Sequence, residues 1–487
     1  MPETLPAASL PWVVERAQHD PDALALRDSG GSFSWNALAL RVERLAARLT
    51  ALGVRPGDRV ALLTETSCRM VELIHATQRC YATVVPLNTR LAAREIAAVI
   101  ADAEPRLVIH DRGSDADLGR ASSPAVRLVG AGHELDDVAA VDPPPLRRLD
   151  PAALHTLVYT SGTTGAPKGV MLTHRNHAAS AAASRTNLGV RRDDHWLAAL
   201  PLYHVGGLSM ILRGVLDGVP ITLQPGFDPE RMSATLRSGE ITLLSMVPTM
   251  LLRLLDHEDT RPFPPPIRAV LIGGAPAPAT LLARARDRGL PVLPTYGLTE
   301  TASQVATAAP APTACPPTAA GRALPGTDIR IDAPDARGCG EIVVRGPTVM
   351  AGYFRNSEAT AAVLRDQWLR TGDLGRIDAD GFLHVLDRRT DLIITSGENV
   401  YPAEIEAVLA EHPDVRDAAV YGRPHPVWGQ EVAATIVARD GQTLDAEALG
   451  AWCRTRLAAY KVPRSFQHAA TLPRTPSGKL RRNLLTP

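Results

Sequence analysis

The sequence predicts an α/β protein in two parts, a large N-terminal domain of layered sheets and helices followed by a small α+β C-terminal domain. Three observations lead there. Short β-branched apolar runs alternate with helix-like segments through most of the chain, and strands crowd together after Gly340. The polar stretch Asp387-Arg-Arg-Thr-Asp391 then separates this body from a unit with strand and helix patterns of its own. At 487 residues the chain is also too long for one compact core. The expected organisation is residues 1–387, a connector over 388–391, and residues 392–487.

From the N-terminus onward, residues 60–63, 82–86 and 107–110 read as buried strands, and residues 91–103 carry apolar side chains at helical spacing. The alternation returns at Arg268-Ala-Val-Leu-Ile-Gly-Gly274, a strand running into a glycine turn, and again at residues 291–297. Residues 143–145, 262–266 and 306–320 are rich in Pro, which gives no backbone donor to helix or sheet, so they read as surface loops. Beyond Gly340, residues 341–345 and 382–386 read as strands. No internal repeat is visible.

Charge balance narrows the function. With 52 basic and 52 acidic residues the chain carries no overall attraction to nucleic acid or an anionic membrane, which favours small-molecule chemistry. Cys68, Cys80, Cys315, Cys339 and Cys453 form no Cys-x-x-Cys pair, against both a disulfide framework and a structural zinc. A reducing, cytoplasmic setting is expected. No stretch reaches the roughly 18 apolar residues of a membrane span, and the first residues lack a basic region followed by an apolar core, so neither an anchor nor a leader is expected. A homo-oligomer stays open. Lysine is rare: Lys168, Lys461 and Lys479 are the only three, the other 49 basic residues being Arg. An ammonium is a compact point charge where a guanidinium is a broad fork, so these three positions are candidates for chemistry.

The first of them closes Tyr159-Thr-Ser-Gly-Thr-Thr-Gly-Ala-Pro-Lys168, set between the apolar runs 157–159 and 170–172. Hydroxyls and glycines at this density can wrap backbone and side-chain donors around phosphate oxygens while a lysine adds charge. The spacing is neither that of a Walker A loop nor that of the dinucleotide glycine fingerprint. Taken alone, such a segment is a phosphate loop or a plain turn.

The segment resembles the phosphate-binding loop of the adenylate-forming superfamily, which includes acyl-CoA synthetases, firefly luciferase and the adenylation domains of peptide synthetases. Nearly the whole chain shares the similarity. Thr295-Tyr-Gly-Leu-Thr-Glu-Thr301 is similar to the adenine and phosphate motif, Thr371-Gly-Asp373 to the ribose motif, and Pro473-Arg-Thr-Pro-Ser-Gly-Lys479 to the C-terminal lysine loop. The resemblance implies an AMP-binding domain with a small mobile lid domain. It also implies an enzyme that uses ATP and Mg²⁺ to activate a carboxylic acid as an acyl-adenylate, then passes the acyl group to coenzyme A.

Residue by residue, the resemblance implies that Thr160, Ser161, Gly162, Thr163, Thr164, Gly165 and Lys168 surround the phosphates. Gly274, Ala275 and Pro276 would offer backbone to the adenine edge, with Tyr296, between Thr295 and Gly297, stacking on the ring. Asp373 would accept both ribose hydroxyls, and Arg388 would reach the same nucleotide. Glu300 would hold Mg²⁺, because a hard cation takes carboxylate oxygen, and Thr299 would bond the α-phosphate. Attack of a carboxylate on the α-phosphorus brings two anions together, so charge neutralisation and positioning dominate its barrier. Lys479 is implied to bridge those anions. The lid would swing about Thr390, where many relatives have Asp or Lys. Gly397 would then face the coenzyme A channel beside Ser396, which stands where many relatives have glycine. Lys461 would meet a coenzyme A phosphate or cap a helix.

Four longer stretches, Trp196-Leu-Ala-Ala-Leu-Pro-Leu-Tyr-His-Val-Gly-Gly-Leu-Ser209, Ile272-Gly-Gly-Ala-Pro-Ala-Pro278, Thr299-Glu-Thr-Ala-Ser-Gln304 and Val385-Leu-Asp-Arg-Arg-Thr-Asp-Leu-Ile-Ile394, resemble the o-succinylbenzoate–CoA ligase branch, which serves menaquinone biosynthesis. Here His204 would gate the carboxylate and pack against an aromatic acid. Ser303 and Gln304 would bond the acid's ketone or second carboxylate, or satisfy a cap and the core. Arg213 could counter that second carboxylate but reads as a solvated helix residue. Another aryl- or fatty-acid–CoA ligase, or an adenylating enzyme that uses no coenzyme A, remains an alternative. Only eight residues follow Lys479, so no fused carrier domain is expected.

Overall fold

The structure, a computed structural model, describes residues 6–111, 126–161, 167–257, 261–275, 277–310, 315–316, 319–387, 392–439, 444–473 and 482–485. Two large sheets build the body. One has seven strands in the order Gly352–Tyr353, Pro167–Thr173, Leu154–Ser161, Thr83–Pro86, Arg59–Leu63, Leu107–His110 and Arg127–Gly130. The other has nine, running from Arg322–Ala323 through Ser303–Thr307, Val292–Leu298, Ala269–Ile272, Leu243–Met246, Trp196–Ala198, Ile221–Leu223 and Leu24–Asp28 to Gly31–Ser34. Both are parallel at their centres and antiparallel toward one edge or both.

Strand periodicity explains the layering. Val60 and Leu62 face the core shared by the two sheets, whereas Ala61 and Leu63 face the opposite side under the helix Ala93–Ala103. Likewise Leu243 and Leu271 enter the shared core, while Leu244, Val270 and Ile272 pack under the helices Pro229–Arg237, Pro248–His257 and Ala279–Asp287. Helices Trp35–Ala51, Cys68–Arg79, His174–Leu188 and Val205–Asp217 fill the space between the sheets around Trp12, Trp35 and Trp196. The result is five layers, helices alternating with sheets.

Two smaller sheets follow. Asp328–Asp332, Gly340–Arg345, Trp368–Ile377, Leu364–Arg365 and Leu383–Asp387 form the third. Glu398–Val400, Ile393–Thr395, Gly429–Ala438, Val415–His425 and Ser465–His468 form the fourth, backed by the helices Pro402–Ala410 and Ala446–Arg454 around a separate core of Ile405, Leu409, Ile436 and Leu449.

Most elements expected from the sequence are present within a residue or two. Leu91 and Ala92 precede their helix rather than join it, because Ala92 is its N-cap and Glu95 returns a side-chain bond to the Ala92 N–H. The Pro-rich stretch 306–320 is not loop from its start. Ala306 and Thr307 belong to Ser303–Thr307, paired on both sides, and Ala306 is fully buried. An Ala-Thr-rich sequence reads as loop where the flanking strands in fact hold it.

Candidate active site

A cavity of about 970 Å³ opens where the nine-stranded sheet, the third sheet and the small C-terminal unit meet. Residues singled out above line much of it: Thr160, His204, Arg213, Gly274, Thr295, Gly297, Thr299, Glu300, Ser303, Gln304, Asp373, Ser396 and Gly397. Lys168 stands at its border with Nζ 5.3 Å from the centre of the Tyr353 ring, and Tyr353 itself lines the wall. Ala275 adjoins Gly274 without lining the cavity. Gly162, Thr163, Thr164, Gly165, Pro276, Arg388, Thr390 and Lys479 lie outside the described residues, as does the Ser161 side chain.

The wall that carries the adenine and phosphate motif is a hairpin. Val292–Leu298 pairs antiparallel with Ser303–Thr307, setting Gly297 opposite Gln304 and Leu298 opposite Ser303. A Cβ on Gly297 would sit 1.7 Å from the Ser303 carbonyl oxygen, so glycine is required for the strands to approach. The connecting turn, Thr299–Thr301, ends with Ala302 at φ 52° and Ser303 at φ 102°, left-handed values that cost a side-chain-bearing residue. That strained turn holds Thr299, Glu300 and Ser303 at the cavity together. One oxygen of Glu300 accepts the Tyr353 hydroxyl at 2.8 Å; its other oxygen accepts no hydrogen bond among the described residues. No cluster of three His, Cys, Asp or Glu side chains forms a metal cage among the described residues. A carboxylate with one uncommitted oxygen suits a cation otherwise held by phosphates and water.

Tyr296 occupies a different place from the one implied for it. It is only 4% exposed, packs with Val305, Ile342 and Leu383 behind the wall, and its hydroxyl donates to Asp373 Oδ2 at 2.7 Å. Its visible work is to orient the carboxylate. Asp373 is further fixed by its backbone N–H, which donates to Thr371 Oγ1 at 3.1 Å. Gln304 is buried: Nε2 donates to Thr295 Oγ1 at 3.2 Å, and Oε1 has no partner.

His204 is the N-cap of Val205–Asp217 yet makes no side-chain cap. Its ring turns instead to the small unit, with Nε2 3.0 Å from Glu398 Oε2. Sequence reading missed Glu398 altogether. This carboxylate is nearly fully buried and also meets Arg90 Nη1 at 2.9 Å. Burial would raise its carboxyl, but the neighbouring His204 and Arg90 hold it below the usual carboxylate range. Beside it Ser396 adopts φ 51° and Gly397 φ 82°, which explains why glycine suits both positions. Gly397 approaches the large domain so closely that a Cβ would lie 3.2 Å from Val247.

Two further expectations are corrected. Arg213 is not solvated: it is 3% exposed, lines the cavity, and burial pushes its guanidinium down to about 10 despite the nearby Asp217. Its Nε has no acceptor, and Nη2 reaches Ser180 Oγ only at 3.5 Å. Lys461 is not available to a phosphate, being buried between Glu95 and Glu404. Neither was visible in sequence, because burial of a charge depends on partners distant along the chain.

Residues 13–354 match the AMP-binding enzyme family, and residues 404–479 match the AMP-binding enzyme C-terminal domain. The chain is 42% identical to the 2-succinylbenzoate–CoA ligase of Geobacillus kaustophilus over 97% of this chain and 96% of that one. A double mutant of o-succinylbenzoate CoA synthetase from Bacillus subtilis, bound with its product analogue, is 38% identical. It superposes with a TM-score of 0.93 over 98% of each chain. The same enzyme in complex with its acyl-adenylate intermediate gives 0.76 at 38% identity over 98% of each chain. Its complex with ATP and magnesium ion gives 0.75 at 38% identity, over 98% of this chain and 99% of that one. By sequence, by fold and by the residues gathered at the cavity, the chain belongs to the AMP-binding enzyme family.

Proposed function

We propose that this protein joins 2-succinylbenzoate to coenzyme A at the expense of ATP, as its relatives of that name do. In the first step a carboxylate oxygen attacks the α-phosphorus, and the bond to pyrophosphate breaks. In the second, the coenzyme A sulfur attacks the acyl carbon, the thiol proton is lost and the bond to AMP breaks. The observation that carries the substrate is Arg213, a buried guanidinium without a full complement of acceptors in a cavity that also holds the nucleotide-facing residues. A monocarboxylate would spend its one anion at the reacting phosphorus. A second carboxylate would complete Arg213.

In this reading Asp373, aimed by Tyr296, takes the ribose hydroxyls, while Thr160, Thr299 and Lys168 face the phosphates. Glu300 would hold Mg²⁺, whose charge offsets that of the phosphates. Ser303 and Gln304 face the acid. Residues 388–391 serve as the hinge. The higher TM-score to the product-analogue complex than to the adenylate complex supports a small unit placed for thioester formation. Glu398 then holds His204 aside, and Gly397 borders the channel. Lys479 enters the cavity when the small unit swings to the other position.

The test is pyrophosphate release across 2-succinylbenzoate, benzoate, coumarate, malonate and medium-chain fatty acids. 2-Succinylbenzoate is expected to give the highest kcat/KM. Arg213→Met is expected to lower it by about tenfold to a hundredfold, the worth of a hydrogen bond to a charged group, with little change for benzoate. A stronger response to a monocarboxylate refutes the assignment.

A further inference from the structure

We infer that Lys461 is a positioning residue for the second half-reaction, an ionic latch that holds the small unit where Gly397 and Glu398 reach the cavity; this rests on the two-step ligase reading above. Lys461 lies in the turn Ala459–Lys461 and is 3% exposed. Its ammonium contacts Glu95 Oε1 of the large domain and Glu404 Oε1 of the small unit, the latter at 2.7 Å. The other oxygen of Glu95 accepts the backbone N–H of Ala458 at 2.7 Å, so one carboxylate of the large domain grips the small unit twice.

Two features separate this triad from ordinary surface pairing. All three side chains are nearly out of water, with Glu95 and Glu404 at 10% and 12% exposure, so the contact is weakly screened. By contrast Arg94 and Glu411, the other close pair on the same helix, are joined by two bonds of 2.8 Å but are half-exposed, where an ion pair contributes little. A single nitrogen lodged between two carboxylates also suits an ammonium and not a guanidinium fork, which accounts for lysine here in a chain that otherwise uses arginine. The triad spans the two units, so it exists only when they are docked as seen. Once they separate, Glu95 regains water. The energetic loss on breaking the triad therefore falls on docking.

The experiment measures both half-reactions on the full chain: pyrophosphate release from acid and ATP without coenzyme A, and thioester formation from presynthesised acyl-adenylate and coenzyme A. Lys461→Ala and Glu95→Gln are expected to slow thioester formation at least tenfold while pyrophosphate release stays within twofold. Glu95→Gln guards against misfolding, since its amide oxygen can still accept the Ala92 N–H that starts the helix. Arg94→Ala is expected to leave both rates unchanged. Equal loss of both half-reactions in Glu95→Gln, or no loss in either variant, overturns the latch. Failure of the parent protein to release pyrophosphate with 2-succinylbenzoate overturns the substrate assignment instead. The split is then measured with whichever acid the panel accepts.

Discussion

Lowering the pH from about 7.5 to about 5.5 is expected to remove a large part of the stability of the N-terminal body, through four buried histidines. His155 and His174 pack against Trp12, whose ring stacks on His155 at 5.1 Å, His177 meets His155 edge-on, and His75 is buried near His155. Burial pushes His75 and His177 down to about 3 and His174 to about 4, and drives His155 well below the ordinary value of 6.5. The unfolded chain therefore takes up four protons near pH 6.5 that the folded one refuses. The stabilisation is complete above that value and drains away as the pH falls toward the folded values. At pH 5.5 the loss is about 1.4 kcal/mol for each group, about 5 kcal/mol together, against typical stabilities of roughly 5–15 kcal/mol. Glu404 acts with the opposite sign: burial pushes it up to about 7, so its contribution is present below 4.5 and is lost as pH rises through 7. Urea unfolding followed by tryptophan fluorescence at the two pH values measures the sum, and His155→Leu isolates the histidines. Both ring nitrogens of His155 lack partners, so that variant is expected to shrink the acid loss by about 1.4 kcal/mol. Equal midpoints at the two pH values, or an unchanged acid loss in His155→Leu, refutes the reasoning.

Tyr296→Phe removes the hydroxyl that aims Asp373 and is expected to raise the KM for ATP about tenfold, measured by pyrophosphate release, with an unchanged unfolding midpoint. Gly397→Ala places a Cβ at φ 82° and 3.2 Å from Val247. It is expected to slow thioester formation about tenfold while adenylation persists, which separate assays of the two half-reactions would resolve. Lys479→Ala is expected to show the reverse, loss of pyrophosphate release with thioester formation from preformed acyl-adenylate largely kept. An equal effect on both steps contradicts its assigned place.

The strands at Arg59–Leu63 and Leu107–His110 were legible because parallel, doubly buried strands appear as short apolar runs, a signal local to each segment. The cavity-lining residues Thr160, Thr295, Thr299, Glu300 and Asp373 were legible for a different reason: they sit in compact motifs whose order along the chain can be matched. Glu398 was not, although it follows Gly397 directly. A glutamate in a polar loop carries no mark of burial until Arg90 and His204, some 200 to 300 residues away, are folded against it. Lys461 and Arg213 show the same limit from the side of the cation. Lysine scarcity marked Lys461 as special but could not tell phosphate from carboxylate as its partner, and nothing in the helical pattern of residues 205–217 distinguishes a solvated arginine from one turned inward.

For ligand design, a chamber walled by both units is not a receptor of fixed shape. A molecule long enough to touch Arg213 at one end and Gly397 at the other would have to fasten the small unit to the body. Its measured affinity would contain the free energy of their docking as well as its own contacts. Lys461→Ala would then weaken such an inhibitor without meeting a single one of its atoms, whereas an inhibitor confined to the Arg213 end would be indifferent to that change.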